Sequence, residues 1–189
     1  MREGETDSLM ARRRNSRPLA PRPSVPNPRP HLLKAVLAFV RSARSTPGVL
    51  RIALLGSLAT DKPVPKDADV LVTIDPAMDL DPLARLGRRL QGTAQTVNLG
   101  ADIFLANAAG RYLGRICHYR ECRPRVACRA LSCGRRQHLN DDLQIVTLSP
   151  TLVSAPPIDL WPRIVARCAV PTDTHALLVA KLDDAAREN

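Results

Sequence analysis

Hydrophobic positions divide this chain into segments of two different periods. From His31 the run HLLKAVLAFVRSAR sets Leu33, Val36, Leu37 and Val40 at helical spacing, with Lys34, Arg41 and Arg44 on the other side. That pattern predicts an amphipathic helix, which Thr46, Pro47 and Gly48 end. VLRIALL at 49–55 and ADVLVTI at 68–74 are short, mostly apolar runs of β-rich composition, and they predict strands covered on both faces. Asp79 or Asp81 is placed to cap the next helix, with Pro82 near its first turn and Leu83, Leu86 and Leu90 along one side. ADIFLAN at 101–107 predicts a third strand. Helix, strand, turn, strand, helix, strand makes an α+β fold with a small mixed β-sheet and flanking helices.

Outside that stretch the periods weaken. Residues 111–139 are rich in cysteine and arginine, QIVTLS at 144–149 reads as a strand, and APPIDLWPRIVARC at 155–168 reads as a short helix framed by prolines. THALLVAKLDDAARE places Leu177, Leu178 and Leu182 on one face of a last helix, with His175 in its first turn. Residues 1–30 include RRRNSRPLAPRPSVPNPRP, which has six prolines and few apolar residues. Such a segment buries too little surface to offset its ordering entropy. It is expected to be a disordered basic tail, a solubilising extension or sequence upstream of a true start at Met10, with nucleic-acid attachment as the functional alternative. Three regions follow: the tail at 1–30, a core at 31–110, and a Cys/Arg-rich segment with C-terminal helices at 111–189.

Charge sharpens this division. Of the net charge of +10, residues 1–30 carry seven Arg against three acids and residues 111–136 eight Arg against one Glu. The positive field is therefore local, which suits phosphate-bearing partners such as nucleotides or RNA. Aromatic residues make up 3% of the chain, too few for a reader of single strands by stacking. No apolar run is long enough to span a membrane and no secretory signal pattern opens the chain, so a cytoplasmic location is expected. Five cysteines without an export signal are expected to be reduced, buried or metal-bound.

The candidate chemistry lies in LLGSLATDKPVPKDADVLVTID, residues 54–75. In a strand, residues two apart share a face, so Asp67 and Asp69 present two carboxylates together. Two such charges repel unless a cation neutralises them, and Mg²⁺ takes oxygen ligands of this kind together with phosphate oxygens. Gly56 follows the first strand where the backbone turns tightly, and Ser57 stands at a candidate helix N-cap, where free N–H groups favour an anion. Lys62 and Lys66, in the loop before the aspartates, are placed to neutralise phosphate. Asp102, alone in an apolar strand, requires a partner or a metal.

In order and spacing, Gly56-Ser57, nine intervening residues, Asp67-Ala68-Asp69 and then Asp102 resemble the signature of the nucleotidyltransferase fold of the DNA polymerase beta superfamily. The likeness covers residues 31–107 and is closest to the minimal nucleotidyltransferases. The resemblance implies that Gly56 and Ser57 hold the triphosphate of an NTP, ATP by default, and that Asp67 and Asp69 bind two Mg²⁺ ions. It implies that Asp102 completes the metal site and helps activate an acceptor hydroxyl on a protein, an RNA or a small molecule. One departure is that Leu58-Ala59-Thr60-Asp61 stands where many members carry Arg or Gly. By the same resemblance the chain is alternatively an antitoxin-like regulatory module that binds a partner protein.

Cys117, Cys122, Cys128 and Cys133, with four, five and four residues between them and His118 and His138 nearby, form a candidate structural zinc site. The competing reading is reduced cysteines in a helical segment. With the arginines around them, these cysteines also leave open a zinc-dependent RNA-binding protein in which the acids are incidental. Cys168 reads as a core residue, and Asp141-Asp142 as a helix cap.

Overall fold

The computed structural model describes residues 27–123, 125–126, 128, 133 and 135–187; most of the expected tail lies outside the described residues. The chain forms an α+β structure around one mixed seven-stranded sheet, ordered β5-β4-β3-β2-β1-β6-β7. Helix α1 (Arg29–Ala43) leads into β1 (Val49–Leu54), then β2 (Asp67–Ile74), helix α2 (Asp81–Gln95) and β3 (Gly100–Asn107). β4 (Tyr112–Ile116), β5 (Leu139–Asn140), the short helix α3 (Pro150–Ser154), β6 (Ile158–Trp161) and β7 (Val165–Ala166) follow. The C-terminal helix comprises α4 (Thr172–Thr174), a π-helical stretch (His175–Val179) and α5 (Ala180–Arg187).

β2 and β3 are parallel, joined by the α2 crossover, and every other neighbouring pair is antiparallel. Strand alternation sorts the side chains onto two faces. Ala68, Val70, Val72 and Ile74 of β2, with Ala101, Ile103 and Leu105 of β3, join Leu32, Leu33, Val36 and Val40 of α1 and Leu83 and Leu90 of α2 in the main core. On the opposite face Leu71, Phe104, Ala53, Leu55 and Tyr112 form a smaller cluster covered by Val153 of α3. Burying a Leu or Val side chain contributes roughly 1.5–3 kcal/mol, so the helix-covered face holds β2 and β3 in place.

Several expectations change. The tail ends earlier than residue 30: Arg29 opens α1 and is 3% exposed. Its guanidinium donates to the carbonyls of Ser57, Leu58 and Lys62 and to Thr174 Oγ1, and it pairs with Asp173 at 2.6 Å. QIVTLS makes no strand; Ile145 is exposed in a turn, and Val146 N–H donates to the Asp142 carbonyl. APPIDLWPRIVARC forms the β6–β7 hairpin rather than a helix, because Asp159 is buried against Arg51 and Arg167 and β6 pairs with β1. Cys168 is exposed beyond the edge strand β7, its thiol 3.6 Å from the Ala59 carbonyl, and is not a core residue. Asp141 and Asp142 lie in the turn after β5, where Asp141 stands 3.6 Å from Arg135 and caps no helix. Among the described residues of 111–139 there is no helix: the segment holds β4 and runs on to β5.

Candidate functional site

In the parallel β2–β3 pair, Asp69 is in register with Asp102 and Asp67 with Gly100. Paired residues of neighbouring strands point the same way and the strands run about 4.8 Å apart. Asp67, Asp69 and Asp102 therefore share one sheet face, next to the smaller apolar cluster at the ends where β2 and β3 begin. All three are half-buried. The three carboxylates that the sequence singled out are brought together.

Gly56 packs directly against this cluster. It has φ +63°, and a Cβ on it would sit 2.0 Å from Asp69 Oδ2, so only glycine lets the backbone lie this close to the carboxylate. The Leu55 N–H donates to the Asp69 carbonyl at 2.9 Å, tying the turn to β2. Gly100 serves Asp67 similarly, a Cβ there falling 3.0 Å from Asp67 Oδ1.

Ser57 departs from the expected helix N-cap. Gly56–Ala59 is a single 3₁₀ turn flanked by Leu55 and Thr60, both extended, and the prolines at 63 and 65 prevent a longer helix. No helix dipole faces the site. Ser57 Oγ instead accepts the Lys66 N–H at 3.3 Å, which closes the loop that carries Lys62 and Lys66 against the turn. Both lysine side chains are exposed.

The electrostatics of the acids differ. Burial, reinforced by the charges of Asp67 and Asp102, lifts Asp69 to about 6. Asp102 is held below the usual carboxylate range by His118 and by Arg115. Arg115 Nη1 donates to Asp102 Oδ1 at 3.1 Å, whereas His118 Nε2 stands 3.9 Å away, an ion-pair distance. As partners of Asp102, Arg115 and His118 escaped the sequence reading, which placed His118 only beside the cysteines, because they lie in the segment without clear period. The signal was present: Asn107 to Gly110 is a turn composition between two apolar runs, and it folds β4 back onto β3.

Among the described residues no group of three or more His, Cys, Asp or Glu side chains stands ready to hold a metal ion, and Asp102 is engaged by Arg115. The donor chemistry nevertheless fits magnesium. The donors are oxygen, and Asp69 is destabilised as an anion by burial and by the charges of Asp67 and Asp102, which a bound cation offsets.

A basic cleft lies on a separate surface, lined by Arg85, Arg88, Arg89 and Arg120. Arg88 donates to the Tyr119 carbonyl at 3.1 Å and so joins α2 to the β4–β5 loop. Of the other sequence candidates, His138 is buried with Nε2 3.4 Å from Asp81. No protein-family model, curated protein or solved structure matches this chain.

Proposed function

We propose that the chain is a nucleotidyltransferase of the DNA polymerase beta type, moving a nucleoside monophosphate from an NTP to an acceptor hydroxyl. The observation that supports it best is the register of Asp69 with Asp102, with Asp67 on the same face and Gly56 packed against Asp69. Asp67 and Asp69 are the residues that would hold Mg²⁺; bound there, the metal supplies Lewis-acid stabilisation of the phosphoryl oxygens and of the leaving pyrophosphate.

The protein's own part is positional. Gly56 lets the turn backbone lie directly against Asp69, and the Ser57 hydroxyl ties the loop that carries Lys62 and Lys66 to that turn. The acceptor oxygen bonds to the α-phosphorus, the bond to the pyrophosphate oxygen breaks, and the hydroxyl proton passes to a carboxylate of the cluster. Arg115 and His118 hold Asp102 in place on β3. A second reading, an antitoxin-like binding module, is favoured by that same pairing, because Asp102 already has a cation.

Incubation of the full chain with each labelled NTP, Mg²⁺ and cell extract tests the proposal. Label should transfer to an acceptor, and Asp67→Asn and Asp69→Asn should each lower transfer by about a hundredfold or more without lowering the melting temperature. Transfer that survives both substitutions removes the acids from the mechanism, and no transfer with any NTP favours the binding module.

A further inference from the structure

The loop between β4 and β5 is built inside out. It leaves and re-enters the sheet at one point, where the Cys117 N–H donates to the His138 carbonyl at 2.9 Å. Among its described residues the apolar side chains face solvent, Tyr119 being 51% and Val126 80% exposed. The thiols face inward: Cys117 and Cys128 are each 5% exposed, and Cys122 and Cys133 are half-buried. Among the described residues of the loop, the larger apolar side chains therefore contribute little burial to order it.

Backbone hydrogen bonds gather the sulfurs. Val126 N–H and Cys128 N–H both donate to the Arg123 carbonyl, at 3.2 and 3.3 Å, and Arg125 N–H donates to the Cys128 carbonyl at 3.1 Å. This turn folds the chain back after Cys122. Cys128 and Cys122 then both stand near enough to act electrostatically on Cys117 and on Cys133. All five cysteines are free thiols, and Cys168 lies elsewhere.

We propose that Cys117, Cys122, Cys128 and Cys133 form a structural zinc site that takes the place of a hydrophobic core in the β4–β5 loop. Four thiolates in a small volume suit a soft, tetrahedral cation. The thiols are gathered around Cys128 without standing as a finished shell, which is expected where binding and loop ordering are coupled. Four thiolates with Zn²⁺ carry a net charge of −2, and residues 111–136 supply eight Arg against one Glu to offset it. Cys117 directly precedes His118, and Tyr119 is bonded to Arg88 of α2. The zinc lobe thus fixes the residue that stands beside Asp102. The zinc assignment does not rest on nucleotidyl transfer, because metal retention is read without the transfer assay.

The test uses the full chain expressed with zinc supplementation and analysed by elemental mass spectrometry. About one zinc per chain is expected, with cobalt replacement giving intense tetrahedral d–d bands and a thiolate charge-transfer band. Cys117→Ser and Cys128→Ser should reduce retained zinc about tenfold or more after chelator challenge. Cys122→Ser, at a less buried position, should do the same in a protein that keeps its circular dichroism, whereas Cys168→Ser should keep its zinc. The proposal is overturned by a metal-free protein whose thiols all react freely, by iron in place of zinc, by disulfides among the four, or by equal loss of zinc in Cys168→Ser.

Discussion

Gly56 and Asp69 show how a site depends on one missing methyl group. At φ +63° any other residue is strained, and a Cβ would collide with Asp69 Oδ2 at 2.0 Å. Gly56→Ala should lower stability by about 1–2 kcal/mol and reduce transfer by at least about tenfold, since the carboxylate or the turn must move; urea denaturation and the labelled-NTP assay measure the two. Tyr112 is a second residue with a distinct signature. Its hydroxyl is buried without a partner, and burial pushes its ionisation up to about 12. Between pH 10 and 12 the unfolded chain loses this proton and the folded one keeps it, so the residue's contribution, complete below pH 10, is lost as pH rises through that window. Tyr112→Phe should leave neutral-pH stability unchanged or slightly higher and flatten the alkaline decline, as seen by comparing denaturation midpoints of both proteins at pH 9 and 11.

Among the elements, the N-terminal helix is attached by a charge rather than by its apolar stripe alone. Arg29 gathers the carbonyls of the Gly56–Ala59 turn, the loop at Lys62 and the start of the C-terminal helix into one buried cluster. Arg29→Met removes a buried donor from those carbonyls and the cation paired with Asp173, and should cost about 3 kcal/mol, read from chemical denaturation. It should also weaken transfer, because the turn beside Asp69 loses its rear support. At the far side of the sheet Asp159 does comparable work, accepting from Arg51 at 2.6 Å and from Arg167 at 2.7 Å to fasten β6 and the strand edge. A four-residue strand containing an acid does not announce itself by period, and its partners are 108 and 8 residues away in sequence.

For the whole molecule, the proposed site predicts linkage between ligands and stability. Mg²⁺ with an NTP should raise the melting temperature by several degrees, since saturation at a hundred times Kd contributes about 2.7 kcal/mol and each kcal/mol is worth roughly 2–4 °C in a chain of this size. Either ligand alone should shift it little, and Asp69→Asn should abolish the joint effect; differential scanning fluorimetry reads all three. The central half of the chain was legible because its information is local. Short apolar runs and helical spacing located α1, β1, β2, α2 and β3, and the i, i+2 rule placed Asp67 and Asp69 on one side before any fold was known. The relation of Asp69 to Asp102 was decided by strand register, a property of two segments together. The Arg115 and His118 contacts, the buried Arg29 and the inward thiols were likewise decided in three dimensions. Each joins residues whose own neighbourhoods look like solvated basic sequence, and only packing against the sheet removes the water that would otherwise satisfy them.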